Sequence, residues 1–157
     1  MKYQIYVDNQ RVNNPIPLFF IDPLTVETLW ENTERHLWGT CRASEYLIPG
    51  SVTAPNDHVF VMITKIQKYY FKAARVSIDT NKYGYVLRFN EGRHRTRWLL
   101  DSGVKHIPLG ISKRCIDIVK ALGLYHTLTI PGTELDLPIT IKGHIELSNQ
   151  QLTLWQI

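Results

Sequence analysis

The densest group of potentially reactive side chains in this sequence lies in residues 89–97, which read FNEGRHRTR. Guanidinium groups can bind phosphate oxygens two at a time, and histidine titrates near neutral pH, so it can donate to phosphate or transfer a proton. The segment and the residue before it gather such groups around Gly92: Arg88, Arg93, His94, Arg95 and Arg97. This combination indicates a site for an anionic ligand.

The same segment lies at a predicted junction between a strand and a helix. YGYVLRF alternates as a strand does, and a helix is expected from Arg93 to Ser102 with Gly103 at its C-terminal cap. The first N–H groups of a helix have no intrahelical partner and, with the helix dipole, attract anions. Gly92 permits the tight turn that this junction needs. The predicted phosphate- or nucleotide-binding residues are Gly92, Arg93, His94, Arg95 and Arg97.

The helical spacing implies that the arginines do not all face one way. Arg93 and Arg97 are four residues apart and should share a helix face, whereas Arg95 should point toward the side of Leu99. A purely structural interpretation also stays open, in which the arginines are solvated and His94 caps the helix or pairs with Glu91.

Catalysis on phosphate would also need a carboxylate, as a metal ligand or a general base. Glu91 is nearest in the sequence, so Glu91 and His94 are the candidate catalytic residues. Pairing of Glu91 with a neighbouring arginine is the alternative. Three other carboxylates could serve only if the fold brings them near: Glu45, Asp79 and Asp22. Asp101 is expected to be a charge on the helix surface.

The composition is that of one globular domain, 1–157, with a mild excess of positive charge. The chain has 157 residues, 44% of them hydrophobic, and a net charge of +4, which suits one core and an anionic partner. Cys41 and Cys115 form no CxxC arrangement and are expected to be reduced, inert thiols. His36 and His58 show no metal-ligand spacing, and no metal site is predicted.

Hydropathy argues against a membrane protein. No apolar run approaches the roughly 18–20 residues of a membrane span, and the N-terminus reads as a strand rather than as a signal peptide. We therefore expect no membrane insertion and a cytoplasmic location.

The elements before the junction include two predicted strands, YQIYV and IPLFFI, and a helix. The helix should run from Pro23 to Trp38 with Asp22 as its N-cap. VFVMITKIQKYYFKAA is ambiguous, since its beginning resembles a buried strand and its end a helix. RVSIDTNKYGYVLRF predicts two extended segments joined at DTNKYG.

After the junction, HIPLGI predicts a strand and SKRCIDIVKALGLY a helix capped by Ser112. The tail alternates and turns repeatedly, which predicts several short strands. The expected fold class is therefore mixed α/β.

Two further segments could border a ligand. RHLWGTCRASEY contains Arg35, Trp38, Arg42 and Tyr46, which could stack a base or form a wall beside the pocket; a core or partner surface is the alternative for Trp38. KIQKYYFKAAR interleaves lysines with aromatic residues, a pattern that suits nucleic acid or an acidic protein. The alternative for this second segment is an amphipathic helix whose lysines are solvated.

The order strand, FNEGRHR, short helix and GVKHIPL resembles the phosphate-binding segment of the ParB/sulfiredoxin superfamily, over Tyr83 to Ile111. The residues of this motif are closest to those of ParB-like nuclease-type domains and plasmid fertility-inhibition factors. The resemblance implies one ParB/sulfiredoxin-like α/β domain, with a small mixed sheet flanked by helices. It also implies that Gly92, Arg93, His94 and Arg95 line a pocket for ATP or another nucleotide with Mg²⁺.

By the same resemblance, the protein would be a plasmid or phage accessory factor that inhibits DNA transfer in conjugation, with ATPase or DNase activity. Its partners would be a nucleotide, DNA and a DNA-transfer or secretion-system protein. Arg93 stands where sulfiredoxins have a catalytic cysteine, so sulfinic-acid reduction is not expected. Neither the QPR-type segment nor the downstream helix-turn-helix of partition proteins is clearly recognisable, so a DNA-segregating CTPase is not expected either. Two alternatives remain: a non-catalytic protein-interaction inhibitor with a vestigial pocket, and a small-metabolite kinase.

Overall fold

The structure, a computed structural model, describes residues 2–7, 16–34, 41–46, 61–63, 69–124, 128–129, 134–136 and 145–146. In chain order its strands are β1 (Lys2–Tyr6), β2 (Leu18–Ile21), β3 (Val61–Ile63), β4 (Tyr69–Lys72), β5 (Ala74–Asn81), β6 (Gly84–Glu91), β7 (Ile107–Ile111), β8 (Leu128–Thr129), β9 (Glu134–Asp136) and β10 (Ile145–Glu146). The helices of this part are α1 (Pro23–Glu31), α2 (Arg93–Asp101) and α3 (Ile116–Leu122), with 3-10 turns at Ala43–Glu45 and Lys113–Cys115.

These strands form two mixed sheets, which confirms the predicted mixed α/β class. One sheet has the order β6-β5-β7-β2-β8, and its β5–β7 pair is parallel. The other has the order β10-β3-β4-β1-β9, and its β1–β4 and β10–β3 pairs are parallel. Ala73 is the only residue between β4 and β5, so the chain passes from one sheet to the other at that point.

The β5–β6 hairpin carries the predicted site at its open end. Asn81 pairs with Gly84 at the tip, and Arg75 pairs with Glu91 at the other end. The register shifts between Arg75 and Val76, which is a bulge immediately before the turn into α2. Bulges bend a strand and redirect its end, so this one helps to set the direction in which the chain leaves the sheet.

Burial of apolar side chains fixes α2 against this sheet. Trp98 and Leu99 are buried on α2, and all of β7 is buried below. Trp30 of α1 is also fully buried, and its indole N–H donates to the Cys41 carbonyl at 2.9 Å. At roughly 25 cal/mol per Å² of apolar surface, large buried side chains of this kind are the main force that holds the helices in place.

Many of the local predictions are confirmed. The strands YQIYV, IPLFFI and HIPLGI, the hairpin and α2 form where the sequence predicts them. Asp22 caps α1 by accepting from the Thr25 N–H at 3.4 Å, with Pro23 at the first helical position. Gly103 follows α2 with φ +71°, the left-handed conformation expected after a helix.

The predicted length of α1 is wrong, because the helix ends at Glu31 rather than Trp38. The Thr33 hydroxyl donates to the Trp30 carbonyl at 2.7 Å, which satisfies an acceptor at the helix end. The Asn32 side chain donates to the Tyr85 carbonyl at 2.7 Å, and the Asn81 side chain donates to the Asn32 carbonyl at 2.8 Å. These bonds tie the chain to the hairpin, so it leaves the helical path at Asn32.

Residues 69–72 form strand β4, and the helical alternative for this segment is therefore wrong. The strand pairs with both β1 and β3, and Phe71 is completely buried. Long-range pairing of this kind overrides local propensity. The helix predicted after Ser112 begins as a 3-10 turn and becomes α-helical at Ile116.

Several predictions fall outside the described residues. They concern the loops at 8–15 and 48–58 and the side chains of Arg35, His36, Trp38, His58, Lys65 and Lys68. Among the residues that are described, the structure contains no helix with the length and apolarity that crossing a membrane requires.

Candidate functional site

The turn between β6 and α2 requires glycine for two separate reasons. Gly92 is the N-cap of α2 and has φ +91° and ψ +18°, a left-handed conformation that costs other residues roughly 1–2 kcal/mol. A Cβ at this position would also lie 2.5 Å from the Ala74 Cβ, well inside van der Waals contact. The backbone therefore approaches β5 as closely as the absence of a side chain allows.

This N-cap also leaves the start of α2 without a capping side chain. Thr96 donates to the Gly92 carbonyl through both its N–H and its hydroxyl, each at 2.9 Å, which fixes the first helical turn. Ser, Thr, Asp or Asn at an N-cap would bring an oxygen to the first N–H groups, and glycine brings none. The positive end of the helix dipole is thus directed at the space in front of the turn.

Glu91, a predicted catalytic residue, is paired with cations from three elements. Its carboxylate lies 3.3 Å from Lys72 Nζ on β4, 3.9 Å from Arg75 Nε on β5 and 3.8 Å from Arg95 Nη2 on α2. This is the pairing interpretation of Glu91 that the sequence left open. The four groups together carry a formal charge of +2, three cations against one carboxylate, so the base of the turn is electropositive.

Arg95 lies beneath the turn rather than at its surface. Its residue is 4% exposed, and its Nη2 atom is 2.8 Å from the position that a Gly92 Cβ would occupy. The spacing correctly placed it on the side of Leu99, which is buried as well. Arg95 therefore supports the Gly92 turn from inside the fold and contributes positive charge from there.

Arg97 and Arg88 connect structural elements. Arg97 Nη2 is 2.8 Å from both Glu27 on α1 and Asp101 on α2, and its Nη1 donates to the Ala43 carbonyl at 3.3 Å. Asp101, predicted as a helix-surface charge, is thus an ion-pair partner of Arg97.

Arg88 binds both carboxylate oxygens of Glu34, at 2.9 and 3.2 Å, and also lies 3.2 Å from Asp79. The hydrogen bonds from Arg88 lower the pKa of Glu34 from 4.5 to about 2. The Glu34–Arg88 pair is therefore charged through most of the accessible pH range.

Arg93 and His94 lie beside Tyr46, which follows the 3-10 turn Ala43–Glu45. The Tyr46 hydroxyl is hydrogen-bonded to His94 Nδ1, and the two rings meet edge to face with centroids 5.0 Å apart. The Arg93 guanidinium carbon is 5.8 Å from the centre of the Tyr46 ring. Burial raises the pKa of the Tyr46 phenol, and Arg93 partly opposes that shift.

A cavity of about 180 Å³ opens next to Arg93. Its lining combines aromatic, apolar and cationic side chains: Trp30, Thr33, Cys41, Leu87, Arg88, Phe89 and Arg93. Trp30 and Phe89 are in contact, with ring centroids 4.7 Å apart, and Trp30 also contacts Tyr46 at 5.5 Å. Pockets for whole drug-sized ligands are usually about 300–1,000 Å³, so this cavity has room for one ring or phosphate group.

Tyr46, predicted to stack a base or to form a wall beside the pocket, lies next to two residues of the cavity lining, Trp30 and Arg93. Cys41 also lines the cavity, but burial, followed by the Glu45 carboxylate, raises the pKa of its thiol. A thiol with a raised pKa is a poor nucleophile at neutral pH, which agrees with the expected inert Cys41.

Sequence reasoning missed three contributors, namely Trp30, Phe89 and Arg75. Phe89 alternates with Arg88 on β6, and the strand pattern places it on the face of Leu87 but does not assign it to a ligand site. Trp30 and Arg75 reach the site only because α1 and β5 pack around the hairpin. Arg75 ends the basic, aromatic segment KIQKYYFKAAR, but no local signal places it beside Glu91.

Two of the other three candidate carboxylates are held in other roles. Asp79 binds Arg88, and Asp22 caps α1. Within the described ranges, no group of three or more histidine, cysteine or carboxylate side chains could hold a metal ion.

No protein-family model matches the chain, and comparisons with curated proteins and with solved structures found no match either.

Proposed function

We propose that the protein binds a phosphate-bearing ligand, of which a nucleotide is the best candidate, at the turn between β6 and α2. The observation that carries this proposal is the Gly92 N-cap, which is pressed against β5 and followed directly by Arg93 and His94. A glycine turn of this kind brings a helix N-terminus within reach of an anion.

The charge distribution supports an anionic rather than a neutral ligand. Lys72, Arg75 and Arg95 surround Glu91 below the turn, and Arg93 adds a further guanidinium at the cavity. Hydrogen bonds to charged groups contribute about 1.5–3 kcal/mol each, and a helix N-terminus adds about 0.3–1 kcal/mol. Two such bonds and the helix would contribute roughly 3–7 kcal/mol, from which the entropic cost of association has to be subtracted.

The predicted residues would have different roles in binding the ligand and in supporting the turn. Arg93 and His94 would contact the phosphate, with Gly92 allowing the approach, while Glu91 and Arg95 hold the turn from below. Arg97 would instead keep α2 in place against α1, through Glu27. The ring of a nucleotide base would enter the cavity between Trp30 and Arg93.

The motif order in 83–111 supports a ParB/sulfiredoxin-like assignment and, with it, a wider role. On that resemblance we propose a plasmid or phage accessory factor that inhibits DNA transfer, with ATP or another nucleotide and Mg²⁺ as cofactor. ATPase or DNase activity, and contacts with DNA or a DNA-transfer or secretion-system protein, belong to the same proposal.

Isothermal titration calorimetry tests the binding proposal directly. ATP, CTP, ADP and inorganic phosphate are titrated into the native protein, with and without Mg²⁺, and into Arg93→Ala. We expect Arg93→Ala to weaken binding of the best ligand by about 10- to 100-fold, since one charge-assisted hydrogen bond is lost.

Lys82→Ala is the matched control, because it removes one positive charge at the tip of the β5–β6 hairpin. At about 3.3 Å per residue, that tip is roughly 23 Å from Glu91, so its affinity should equal that of the native protein. If the folded native protein binds none of these compounds, the pocket proposal is wrong and a protein-interaction role is favoured.

A further inference from the structure

We propose that Tyr46 is a nucleophile and His94 its general base, and that together they transfer the phosphoryl group of a phosphodiester onto the Tyr46 oxygen. This inference rests on the proposed phosphate site, because the same turn would hold the reacting phosphorus. It adds a covalent step and a substrate class that phosphate binding alone does not require.

The Tyr46 and His94 side chains are in direct contact. The Tyr46 hydroxyl is hydrogen-bonded to His94 Nδ1 and lies 3.3 Å from Nε2, so it can donate to whichever ring nitrogen lacks a proton. A nucleophile and a base within hydrogen-bond distance are the arrangement found in covalent catalysis. The two residues come from distant parts of the chain, and the fold brings them together beside the Gly92 turn.

The Tyr46 phenol needs His94 as a base in order to attack phosphorus. Burial against Trp30 favours the neutral form of Tyr46 and raises its pKa, so few phenolate ions form at neutral pH without help. His94 is exposed to solvent, where it can pass the proton on after accepting it. General base catalysis of this kind contributes about 10²- to 10⁴-fold to a rate.

The positive charge of Arg93 lies beside the Tyr46 phenol. The Arg93 guanidinium lies 5.8 Å from the Tyr46 ring, on the residue before His94 and in the first turn of α2. A phosphate at that turn would have its non-bridging oxygens near Arg93 and its phosphorus near the phenol. Charge that develops on those oxygens during attack would be stabilised there.

The cavity favours a diester over a monoester, since a diester has two organic groups to place. Trp30, Leu87 and Phe89 provide an apolar lining for the group that stays on phosphorus. The other group would leave on the side of phosphorus opposite the Tyr46 oxygen, as an in-line displacement requires.

The step balances without an additional reactant. The Tyr46 oxygen forms a bond to phosphorus while its proton passes to His94. The bond from phosphorus to the leaving oxygen breaks, and that oxygen departs with the electron pair. The product is a phosphodiester that joins Tyr46 to the retained organic group, and the proton on His94 is released to solvent.

The p-nitrophenyl ester of thymidine 5′-monophosphate tests this step with the full chain. Attack by Tyr46 releases p-nitrophenolate, which absorbs visible light, and leaves thymidine monophosphate on the tyrosine. We expect a rapid release of up to one p-nitrophenolate per chain, and peptide mass spectrometry should locate the adduct at Tyr46.

Tyr46→Phe keeps the ring against Trp30 and removes the nucleophile, so release and adduct should fall at least 100-fold. His94→Gln should slow release by a similar factor, and the loss should shrink as the pH is raised toward the phenol's own titration. Tyr83→Phe is the control, because Tyr83 is an exposed tyrosine at the hairpin tip and its loss should change nothing.

Calorimetry with thymidine 5′-monophosphate separates failure of this inference from failure of the binding proposal. If the native protein binds the nucleotide but gives neither p-nitrophenolate nor an adduct, the nucleophile assignment is overturned and the phosphate site stands. An adduct that persists in Tyr46→Phe, or that maps to another residue, also overturns it. If the folded native protein binds neither thymidine 5′-monophosphate nor any of ATP, CTP, ADP and inorganic phosphate, both proposals are overturned.

Discussion

Replacement of Gly92 by alanine should be among the most damaging single-methyl substitutions in this chain. The new Cβ must adopt φ +91° and would lie 2.5 Å from the Ala74 Cβ and 2.7 Å from its Cα. Left-handed backbone costs a non-glycine residue roughly 1–2 kcal/mol, and overpacking against a buried strand adds about 1–3 kcal/mol. We therefore expect the free energy of unfolding to fall by about 2–5 kcal/mol.

Gly103→Ala is the matched control for this prediction. Gly103 also has a positive φ, +71°, but nothing lies within 4 Å of the Cβ that alanine would add. Only the backbone cost applies there, so the free energy of unfolding should fall by about 1–2 kcal/mol. The difference between the two variants measures the contact with β5 and excludes the general cost of alanine in a left-handed turn.

Urea unfolding followed by circular dichroism gives both free energies, and the same samples can be titrated with nucleotide. Below the unfolding transition, Gly92→Ala should also bind nucleotide more weakly, because the turn has to move away from β5. A Gly92→Ala protein no less stable than Gly103→Ala would refute the reasoning. The turn would then not be held against Ala74, and the geometry of the proposed anion site would lose its basis.

Three further predictions concern the ion pairs and thiols. Because the folded-state pKa of Glu34 is about 2 rather than 4.5, its pairing with Arg88 stabilises the fold above pH 4.5, and this stabilisation is lost as the pH falls toward 2. Urea unfolding at a series of pH values should therefore show a flatter dependence of stability on pH between 4.5 and 2 for Glu34→Gln. A curve unchanged from that of the native protein would contradict the pairing. Arg97→Met should lower the free energy of unfolding by about 1–3 kcal/mol, while nucleotide affinity changes less than threefold. A large loss of affinity with unchanged stability would instead support phosphate binding by Arg97, as the sequence predicted. In the native protein, iodoacetamide should label Cys41 slowly and leave the buried Cys115 unmodified, and both should be labelled after denaturation. If mass spectrometry found Cys115 labelled before Cys41, that result would contradict the burial of Cys115.

Local sequence signals predicted the junction itself well. The alternation of β6, the glycine between strand and helix, and Gly103 after the helix are short-range features, and each specifies the backbone within a few residues. The separation of Arg95 from Arg93 and Arg97 also followed from helical spacing alone. These predictions succeeded because the information needed was contained in adjacent turns of chain.

Contacts between distant residues account for what the sequence did not reveal. The end of α1 depends on hydrogen bonds between Asn32 and the hairpin, about 50 residues away in the chain. Residues 69–72 are a strand because β1 and β3 lie on either side. The pairing of Tyr46 with His94 likewise joins segments 48 residues apart, and neither residue type predicts its partner.

The arginines around Gly92 show why a concentration of charge in a sequence overstates the number of ligand contacts. Arg88, Arg95 and Arg97 each have carboxylates beside them, and those carboxylates belong largely to other elements: Glu34, Asp79, Glu91, Glu27 and Asp101. Such pairs hold β6 and α2 in register with their neighbours, and a site on a turn needs that support to keep its geometry. Arg93 lines the cavity together with Arg88 and also lies beside the Tyr46 ring. The ion pairs of this segment thus hold in place the helix that brings Arg93 and His94 beside Tyr46.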